Sequence, residues 1–176
     1  MTLEVDSTRA EFAVTDYDLD ATLSSGQVFR WSRDADGWSG VVAGRWVHIA
    51  RSAKGLAVRS AQPIADWQWL AEYFQTGICL GEVIRTFPED EPMRTAIARC
   101  AGLRLLRQEP WECLASFICS STKQIVQIRQ IIHHLCERFG EPIPVPEGQP
   151  AAWSFPIPER IAAASEQELR ACKTGF

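Results

Sequence analysis

The hydrophobic pattern of this chain changes period once, near residue 60, and this change limits the folds that it can form. Between residues 27 and 60, runs such as QVFRWSR, WSGVVA, RWVHIA and LAVRS alternate apolar with polar positions. A period of two is typical of strands with one buried face. Beyond residue 60, apolar positions recur every three or four residues, as in amphipathic helices. The sequence therefore predicts an α+β protein with its strands first.

Three short breaks divide the strand-like segment. Each break contains one glycine beside polar or small residues, and these are Gly37, Gly44 and Gly55. Such sequences are typical of tight hairpin turns. Because Phe29 and Trp31 alternate with more polar neighbours, one face of the sheet is expected to be buried. The segment is predicted to form an antiparallel meander.

Four longer helices and one short one are predicted after the sheet. The four cover residues 62–74, 92–101, 110–121 and 124–139, and a capping box at Ser165 and Glu168 opens the fifth. The helix over 110–121 is apolar nearly all round, which predicts a buried helix. The proline-rich segment 141–158 is predicted to be a connector packed through Trp153 and Phe155. The helix over 124–139 has an apolar inner face formed by Ile125, Ile128, Ile131, Ile132, Leu135 and Phe139.

Composition excludes several classes of protein. With 46% hydrophobic residues, 7 Trp and 8 Phe, the chain is too apolar to be disordered. No apolar run approaches the ~20 residues of a membrane helix. The first residues show no export signal, so the six cysteines are expected to be buried and reduced. His133 and Cys136 lie one helical turn apart, but the Cys113–Cys119 spacing is not that of a zinc site, so no metal is expected.

The charge is distributed unevenly. The net charge of −4 argues at first against a nucleic-acid partner, yet residues 94–138 contain six arginines and Lys123 against three glutamates. A local excess of positive charge can meet phosphates, because salt screens charges beyond roughly 10 Å. A helical surface with solvated charges explains the same pattern equally well. Charge alone leaves both interpretations open.

Two turns are candidate ligand sites, although each has a simpler structural explanation. Gly26, in LSSGQVFRW, allows a bend before a strand, and it would also let the backbone approach a ligand closely. Lys123, in SSTKQ, lies between two predicted helices, where free amides and a cation could bind phosphate or a base. Ser and Thr are also common helix caps. Local sequence favours the bend and the cap.

Taken together, several segments resemble one family. The runs SSGQVFRW, WSGVV, YFQ, RLLRQEPWECLASFICSS, LCERFG and ELRACKTGF are similar in order and spacing to the 8-oxoguanine DNA glycosylase/AP lyases, from about residue 16 to residue 176. The resemblance implies a TATA-binding-protein-like antiparallel sheet with helices over residues 1–107. It also implies the first part of an all-helical glycosylase domain over residues 108–176.

The resemblance assigns lesion recognition to Gly26. Its position matches the glycine whose carbonyl oxygen accepts a hydrogen bond from the N7–H of oxidised guanine in that family. Normal guanine carries a lone pair at N7, so two acceptors would face each other. A correct hydrogen bond against such a repulsive pair is worth ~1–3 kcal/mol. On this reading, Phe29 and Trp31 would hold the sheet that positions the turn.

Five further residues are implied to contact DNA. The family extrudes its target base, and asparagines fill the gap and hold the orphaned cytosine. Here Thr122, Lys123 and Gln124 occupy that place, and Gln127 matches an arginine that contacts the cytosine. Because this run departs from the family pattern, we expect weaker discrimination for cytosine opposite the lesion. Phe176 matches an aromatic wedge that needs only a ring to stack.

The catalytic residues of the family have no counterpart in this sequence. The lysine of the motif LPGVGxK and a downstream aspartate would lie beyond residue 176, so no catalytic residue is assigned and the chain is expected to be inactive alone. We expect a truncated repair glycosylase that binds double-stranded DNA containing oxidised guanine, without a cofactor or membrane, and that is monomeric at full length. It would act in the nucleoid or nucleus. The alternative is a non-catalytic module that binds damaged DNA or another protein.

Overall fold

A five-stranded antiparallel sheet forms the first part of the structure, a computed structural model that describes residues 7–121 and 123–174. The strands are β1 (Arg9–Ala13), β2 (Trp31–Arg33), β3 (Trp38–Val42), β4 (Arg45–Ser52) and β5 (Gly55–Ser60). Their spatial order is β1-β5-β4-β3-β2. Strands β2 to β5 pair consecutively, so the predicted antiparallel meander is confirmed.

The turn between β3 and β4 follows directly from its sequence. Ala43 and Gly44 have φ angles of +48° and +69°. Two successive residues in the left-handed region are what a two-residue type I′ hairpin requires, and this turn matches the right-handed twist of its strands. The strand pairing runs from Val42 opposite Arg45 to Trp38 opposite Ile49. The register therefore places Trp38 and Ile49 on the buried face.

Four helices accompany the sheet: α1 (Leu19–Ser24), α2 (Gln68–Tyr73), α3 (Leu80–Ile84) and α4 (Glu91–Arg99). Leu70 and Phe74 pack on the sheet with Trp31 and are almost fully buried. The helix predicted over 62–74 is therefore too long at its start. The amide of Ile64 donates to the Ser7 carbonyl oxygen at 2.8 Å, which holds this segment beside the sheet instead of in a helix.

The second part contains the elements α5 (Pro110–Cys119), α6 (Ile125–Phe139), β6 (Pro142–Ile143), β7 (Ala152–Trp153), α7 (Pro158–Ala162) and α8 (Glu166–Ala171). The proline-rich connector packs against α6 through Trp153 and Phe155, as predicted. The predicted capping box is also present, with Ser165 accepting from the Glu168 amide and Glu168 accepting from the Ser165 amide. The division at residue 107 stays a prediction.

The prediction that α5 is buried is wrong. Leu114, Phe117 and Ile118 are 53%, 73% and 52% exposed, whereas Ser116 and Cys119 are buried. One side of α5 packs on α6, and no described element covers the other side. An apolar sequence sets which side chains would gain from burial, but burial also needs a partner surface.

Two other burial predictions need correction. Ile125, predicted on the inner face of α6, is 47% exposed, since it is the first residue of the helix and lies ahead of the buried stripe that begins at Ile128. The six cysteines are all free, but Cys79, Cys100 and Cys113 are exposed. They lie on the peripheral helical segments around α3 to α5, outside the buried clusters of the sheet and of α6.

The described residues form neither a membrane-spanning helix nor a metal site. None of the helices in the described part is long and apolar enough to cross a membrane. Within residues 7–121 and 123–174, no three His, Cys, Asp or Glu side chains come together as a possible metal site.

Candidate functional site

Gly26 lies just past the end of α1 in a left-handed conformation. Its φ angle is +89°, and it follows the helix C-cap Ser25. Helices often end on a glycine here, because a side chain makes left-handed angles costly. A Cβ atom added at Gly26 would lie 3.6 Å from Ile125 Cδ1, which is ordinary contact. The backbone angle, and not a lack of space, is what requires glycine.

The carbonyl oxygen of Gly26 has no hydrogen-bond donor among the described residues. The residue is nevertheless half-buried. Most buried backbone carbonyls have a protein or water partner, because desolvation without one is unfavourable. The turn therefore presents an acceptor that remains available to a ligand.

The side chain of Gln27 fixes this turn in place. Its Nε2 donates to the carbonyl oxygens of Thr22 and Arg104, at 3.0 and 2.9 Å. Its Oε1 accepts from the Leu106 amide at 2.8 Å. The turn around Gly26 is thus tied to the segment that leads into α5. Sequence reasoning missed this residue, although it stands directly beside Gly26.

Thr22 and Arg104 extend the same network. The hydroxyl of Thr22 donates to the Asp18 carbonyl oxygen at 2.6 Å and accepts from the Arg104 amide at 3.1 Å. The buried Arg104 guanidinium donates to the carbonyl oxygens of Ile78 and Thr15, at 2.6 and 3.2 Å. A guanidinium with several carbonyl partners holds loops together through charge-assisted hydrogen bonds. No sequence signal identifies such backbone partners.

A partly buried ion pair joins Arg30, directly before β2, to α5. Arg30 Nη1 lies 3.2 Å from Glu112 Oε2, with side chains 10% and 24% exposed. The Arg30 guanidinium also donates to the Trp153 carbonyl oxygen on β7. Burial raises the pKa of Glu112, and the nearby Arg30 charge partly offsets this effect. This pair fixes the sheet, α5 and the β6–β7 hairpin relative to one another.

Phe29 has a different role from the one expected. It packs against Ile128 and Ile132 of α6 instead of supporting the sheet. Trp31 does lie in the sheet core, where its Nε1 donates to the Tyr73 hydroxyl at 3.1 Å. Phe29 precedes β2, which begins at Trp31, so the side-chain alternation of a strand does not apply to it. Phe29 therefore connects the Gly26 segment to α6.

The turn between α5 and α6 carries the other candidate residues. The amide of Lys123 donates to the Ser120 carbonyl oxygen at 3.1 Å. Gln124 is the N-cap of α6, and its amide donates to Gln127 Oε1 at 2.9 Å. Gln127 therefore uses its oxygen to cap the helix, and its amide nitrogen has no partner among the described residues. Both the capping and the ligand interpretations of this turn retain support.

The structure brings the two candidate turns together. Ile125, the first residue of α6, approaches the position that a Gly26 side chain would occupy. Lys123 and Gln124 directly precede it. Two further predicted contacts, Thr122 and Phe176, lie outside the described residues.

The fold matches solved structures along almost the whole chain. A structure of MBOgg1 in complex with a low-affinity DNA ligand has a TM-score of 0.88 at 30% identity, covering 96% of this chain and 58% of that chain. The apo-form of an 8-oxoguanine glycosylase/lyase from Clostridium acetobutylicum gives 0.84 at 23% identity, covering 93% and 57%. The fold is therefore one that 8-oxoguanine glycosylases share.

The sequence comparison identifies the family. Residues 9–114 match the model of the 8-oxoguanine DNA glycosylase, N-terminal domain, and the chain belongs to this family. It is 30% identical over 169 residues to the N-glycosylase/DNA lyase OGG1 of Arabidopsis thaliana, covering 92% of this chain and 45% of that protein. An N-glycosylase/DNA lyase of Saccharomyces cerevisiae is 37% identical over 112 residues, covering 61% and 28%. The chain spans less than half the length of these relatives.

Proposed function

We propose that this chain is the part of a DNA repair glycosylase that recognises oxidised guanine, and that the Gly26 carbonyl oxygen detects the lesion. The observation that carries the proposal is that Gly26 is a half-buried residue whose carbonyl oxygen has no donor among the described residues. A similar solved structure, from Clostridium acetobutylicum, is an 8-oxoguanine glycosylase/lyase in complex with double-stranded DNA containing cytosine opposite 8-oxoG. That likeness supports duplex DNA as the partner.

The discrimination rests on one proton. Oxidised guanine carries a hydrogen at N7, which donates to a carbonyl oxygen, whereas guanine presents a lone pair there. Replacing a correct hydrogen bond by two facing acceptors costs about 1–3 kcal/mol in a partly desolvated site. That difference corresponds to roughly a five- to hundredfold change in affinity.

The surrounding contacts suit this task because they hold the acceptor rigidly. Gln27 binds the Thr22 carbonyl oxygen before the turn and the backbone of Arg104 and Leu106 opposite it, and none of these hydrogen bonds uses the Gly26 carbonyl oxygen. A preorganised acceptor needs no rearrangement when the ligand arrives. Beside it, Lys123, Gln124 and Gln127, with Thr122 and Phe176, would contact the DNA around the extruded base.

The test compares three duplexes in which one purine is 8-oxoguanine, 7-deazaguanine or guanine; they differ at position 7, and 8-oxoguanine also carries an oxygen at C8. The unaltered chain should bind 8-oxoguanine best, 7-deazaguanine next and guanine worst, because 7-deazaguanine has neither the donor nor the repelling lone pair. Fluorescence anisotropy with labelled duplexes measures this order. Equal binding of 7-deazaguanine and guanine, or no preference for 8-oxoguanine, would contradict the proposed role of the carbonyl oxygen.

Two matched variants separate recognition from stability. Gly26→Ala and Gly44→Ala each place a Cβ at a left-handed glycine with no close contact, the nearest atoms lying at 3.6 and 4.0 Å. Each should lose about 1 kcal/mol of stability. Only Gly26→Ala should lose preference for 8-oxoguanine, since the strain displaces its peptide. If both variants keep the preference, Gly26 does not sense the lesion.

Chemistry is a separate question for the whole protein. Because this sequence lacks the lysine motif of the family, the chain should bind the lesion without cleaving the glycosidic bond. Borohydride traps the Schiff base that a lysine forms with the sugar. A trapped adduct between this chain and an 8-oxoguanine duplex would show that a nucleophile is present after all.

A further inference from the structure

A groove of about 920 Å³ lies between the β2–β3 edge of the sheet, α6 and β7. Four of its lining residues are permanently cationic and one is a carboxylate, although the chain as a whole has a net charge of −4. The cations are Arg30, Arg33, Arg129 and Lys173, and the carboxylate is Asp34. A concave surface lined mostly by one sign of charge concentrates the electrostatic potential.

Some of the charged side chains in this groove already have a partner of opposite charge, and others remain able to bind a ligand. Arg30 is engaged by Glu112, and Arg33 lies 3.3 Å from Asp20. Asp34, the carboxylate of the groove, accepts a hydrogen bond from Ser39 and lies near His48, so it already has partners within the protein. The two remaining cations, Arg129 and Lys173, are exposed. Their side chains make no ion pair or hydrogen bond within residues 7–121 and 123–174.

Lys173 has an unfavourable backbone conformation. It follows Cys172, the C-cap of α8, with a φ angle of +63°. Glycine is the usual residue at this position, because a Cβ atom makes the left-handed conformation costly. Strained residues often mark functional positions. A lysine that is strained, exposed and without a partner among the described residues therefore points to a ligand for its ammonium group.

The groove adjoins the proposed DNA-binding turn. Arg129 lies on α6, one turn beyond Ile125, which in turn lies beside Gly26. Val126, on the first turn of α6, also lines the groove. A ligand seated between Arg129 and Lys173 would consequently extend from the lesion-binding turn along α6.

We propose that this groove binds the sugar-phosphate backbone of duplex DNA beside the lesion, with Arg129 and Lys173 each neutralising one phosphate. The proposal rests on the proposed function, because it takes DNA as the partner. A DNA backbone offers a row of phosphates, and Arg129 and Lys173, which have no partner among the described residues, can each neutralise one of them. An acidic peptide is the competing occupant, and the test includes it.

The test measures the salt dependence of binding to an undamaged 20-base-pair duplex. Each phosphate contact contributes about 0.9 to the slope of log K against log salt concentration. Arg129→Gln and Lys173→Gly should each lower this slope by about one and weaken binding about five- to tenfold at 0.1 M salt. Lys173→Gly should also raise the melting temperature or leave it unchanged, because glycine relieves the strained backbone.

Matched controls remove the same charge elsewhere. Lys54→Gln and Arg85→Gln change exposed cations that pair with Glu11 and Glu82 and do not line the groove. They should leave the slope within 0.3 of that of the unaltered chain, a margin of roughly a third of one phosphate contact. If all four substitutions change the slope alike, only net charge matters and the groove is not a site.

The possible failures are distinguishable. If the unaltered chain binds no duplex at all, the proposed function and the groove are both refuted. If it prefers 8-oxoguanine but Arg129→Gln and Lys173→Gly keep the full slope, only the groove is refuted. If an oligoglutamate peptide binds the groove and leaves DNA affinity unchanged, the occupant is acidic protein and not DNA.

Discussion

Removing Arg30 should destabilise the fold in a pH-dependent way. The variant Arg30→Met keeps most of the side-chain volume but leaves the Glu112 carboxylate without its cation. It also leaves the Trp153 carbonyl oxygen without the guanidinium donor. Both acceptors lie where the sheet, α5 and the β6–β7 hairpin meet. The structure therefore predicts a large effect from one substitution.

The magnitude follows from the burial of the pair. Removing one partner of a buried ion pair costs about 3–5 kcal/mol. The Glu112 side chain is 24% exposed, so water can solvate it in part, and the lower end of about 3 kcal/mol is expected. For a chain of this length, each kcal/mol lowers the melting temperature by about 2–4 °C. Arg30→Met should therefore melt about 6–12 °C below the unaltered chain.

The pH dependence follows from Glu112. Burial already raises its pKa in the folded state, and losing Arg30 should raise this pKa further. The folded variant then binds a proton more tightly than the unfolded chain. Stability is consequently lost as pH rises through the folded pKa, and it recovers as pH falls and the carboxyl becomes neutral. The deficit relative to the unaltered chain should be larger at pH 8 than at pH 5.

Circular dichroism melts at the two pH values test this reasoning. The double variant Arg30→Met/Glu112→Leu removes both charges and should recover most of the lost stability, with a deficit that is no larger at pH 8 than at pH 5. A loss below about 1 kcal/mol for Arg30→Met, or an equal deficit at both pH values, would show that water and not the arginine compensates the carboxylate.

Two further predictions concern the turn between α5 and α6 and the exposed apolar side of α5. Because the turn at Lys123 and Gln127 departs from the family pattern, affinities for duplexes with each of the four bases opposite 8-oxoguanine should lie within about tenfold of one another. A strict preference for cytosine would contradict this. Since Phe117 is 73% exposed on an apolar surface, the chain should self-associate, and Phe117→Gln should weaken that association without lowering stability by more than about 0.5 kcal/mol. Analytical ultracentrifugation would detect the change, and an unaltered chain that stays monomeric would refute it.

The elements that local sequence predicted well carry their own signals. The hairpin at Ala43 and Gly44 has a glycine at one of its two left-handed positions, and the helix opened by Ser165 has both halves of its capping box. The apolar stripe of α6 predicted a buried face, and Ile131 and Ile132 are buried. In each case a few neighbouring residues decide the conformation, so the prediction does not depend on knowing the tertiary fold.

The errors arose where the outcome depends on distant residues. Burial of α5 requires a surface to cover Leu114 and Phe117, and no composition of the helix itself supplies one. The start of α2 depends on the backbone hydrogen bond between Ile64 and Ser7, which lie far apart along the chain. The helical spacing of apolar residues gives no information on a hydrogen bond that keeps the segment out of the helix.

The candidate site combines both kinds of information. The sequence singled out Gly26 but favoured a plain bend, and the φ angle of +89° shows that a bend is indeed formed. What the sequence alone does not supply is the role of Gln27, whose partners Arg104 and Leu106 lie 77 and 79 residues away. In an ordinary tight turn, a backbone carbonyl oxygen accepts from the backbone amide three residues further on. Here the Gln27 side chain links the Thr22 carbonyl oxygen to the backbone of Arg104 and Leu106. The Gly26 carbonyl oxygen has no donor among the described residues, so a structural bend and the proposed lesion sensor are compatible uses of the same glycine.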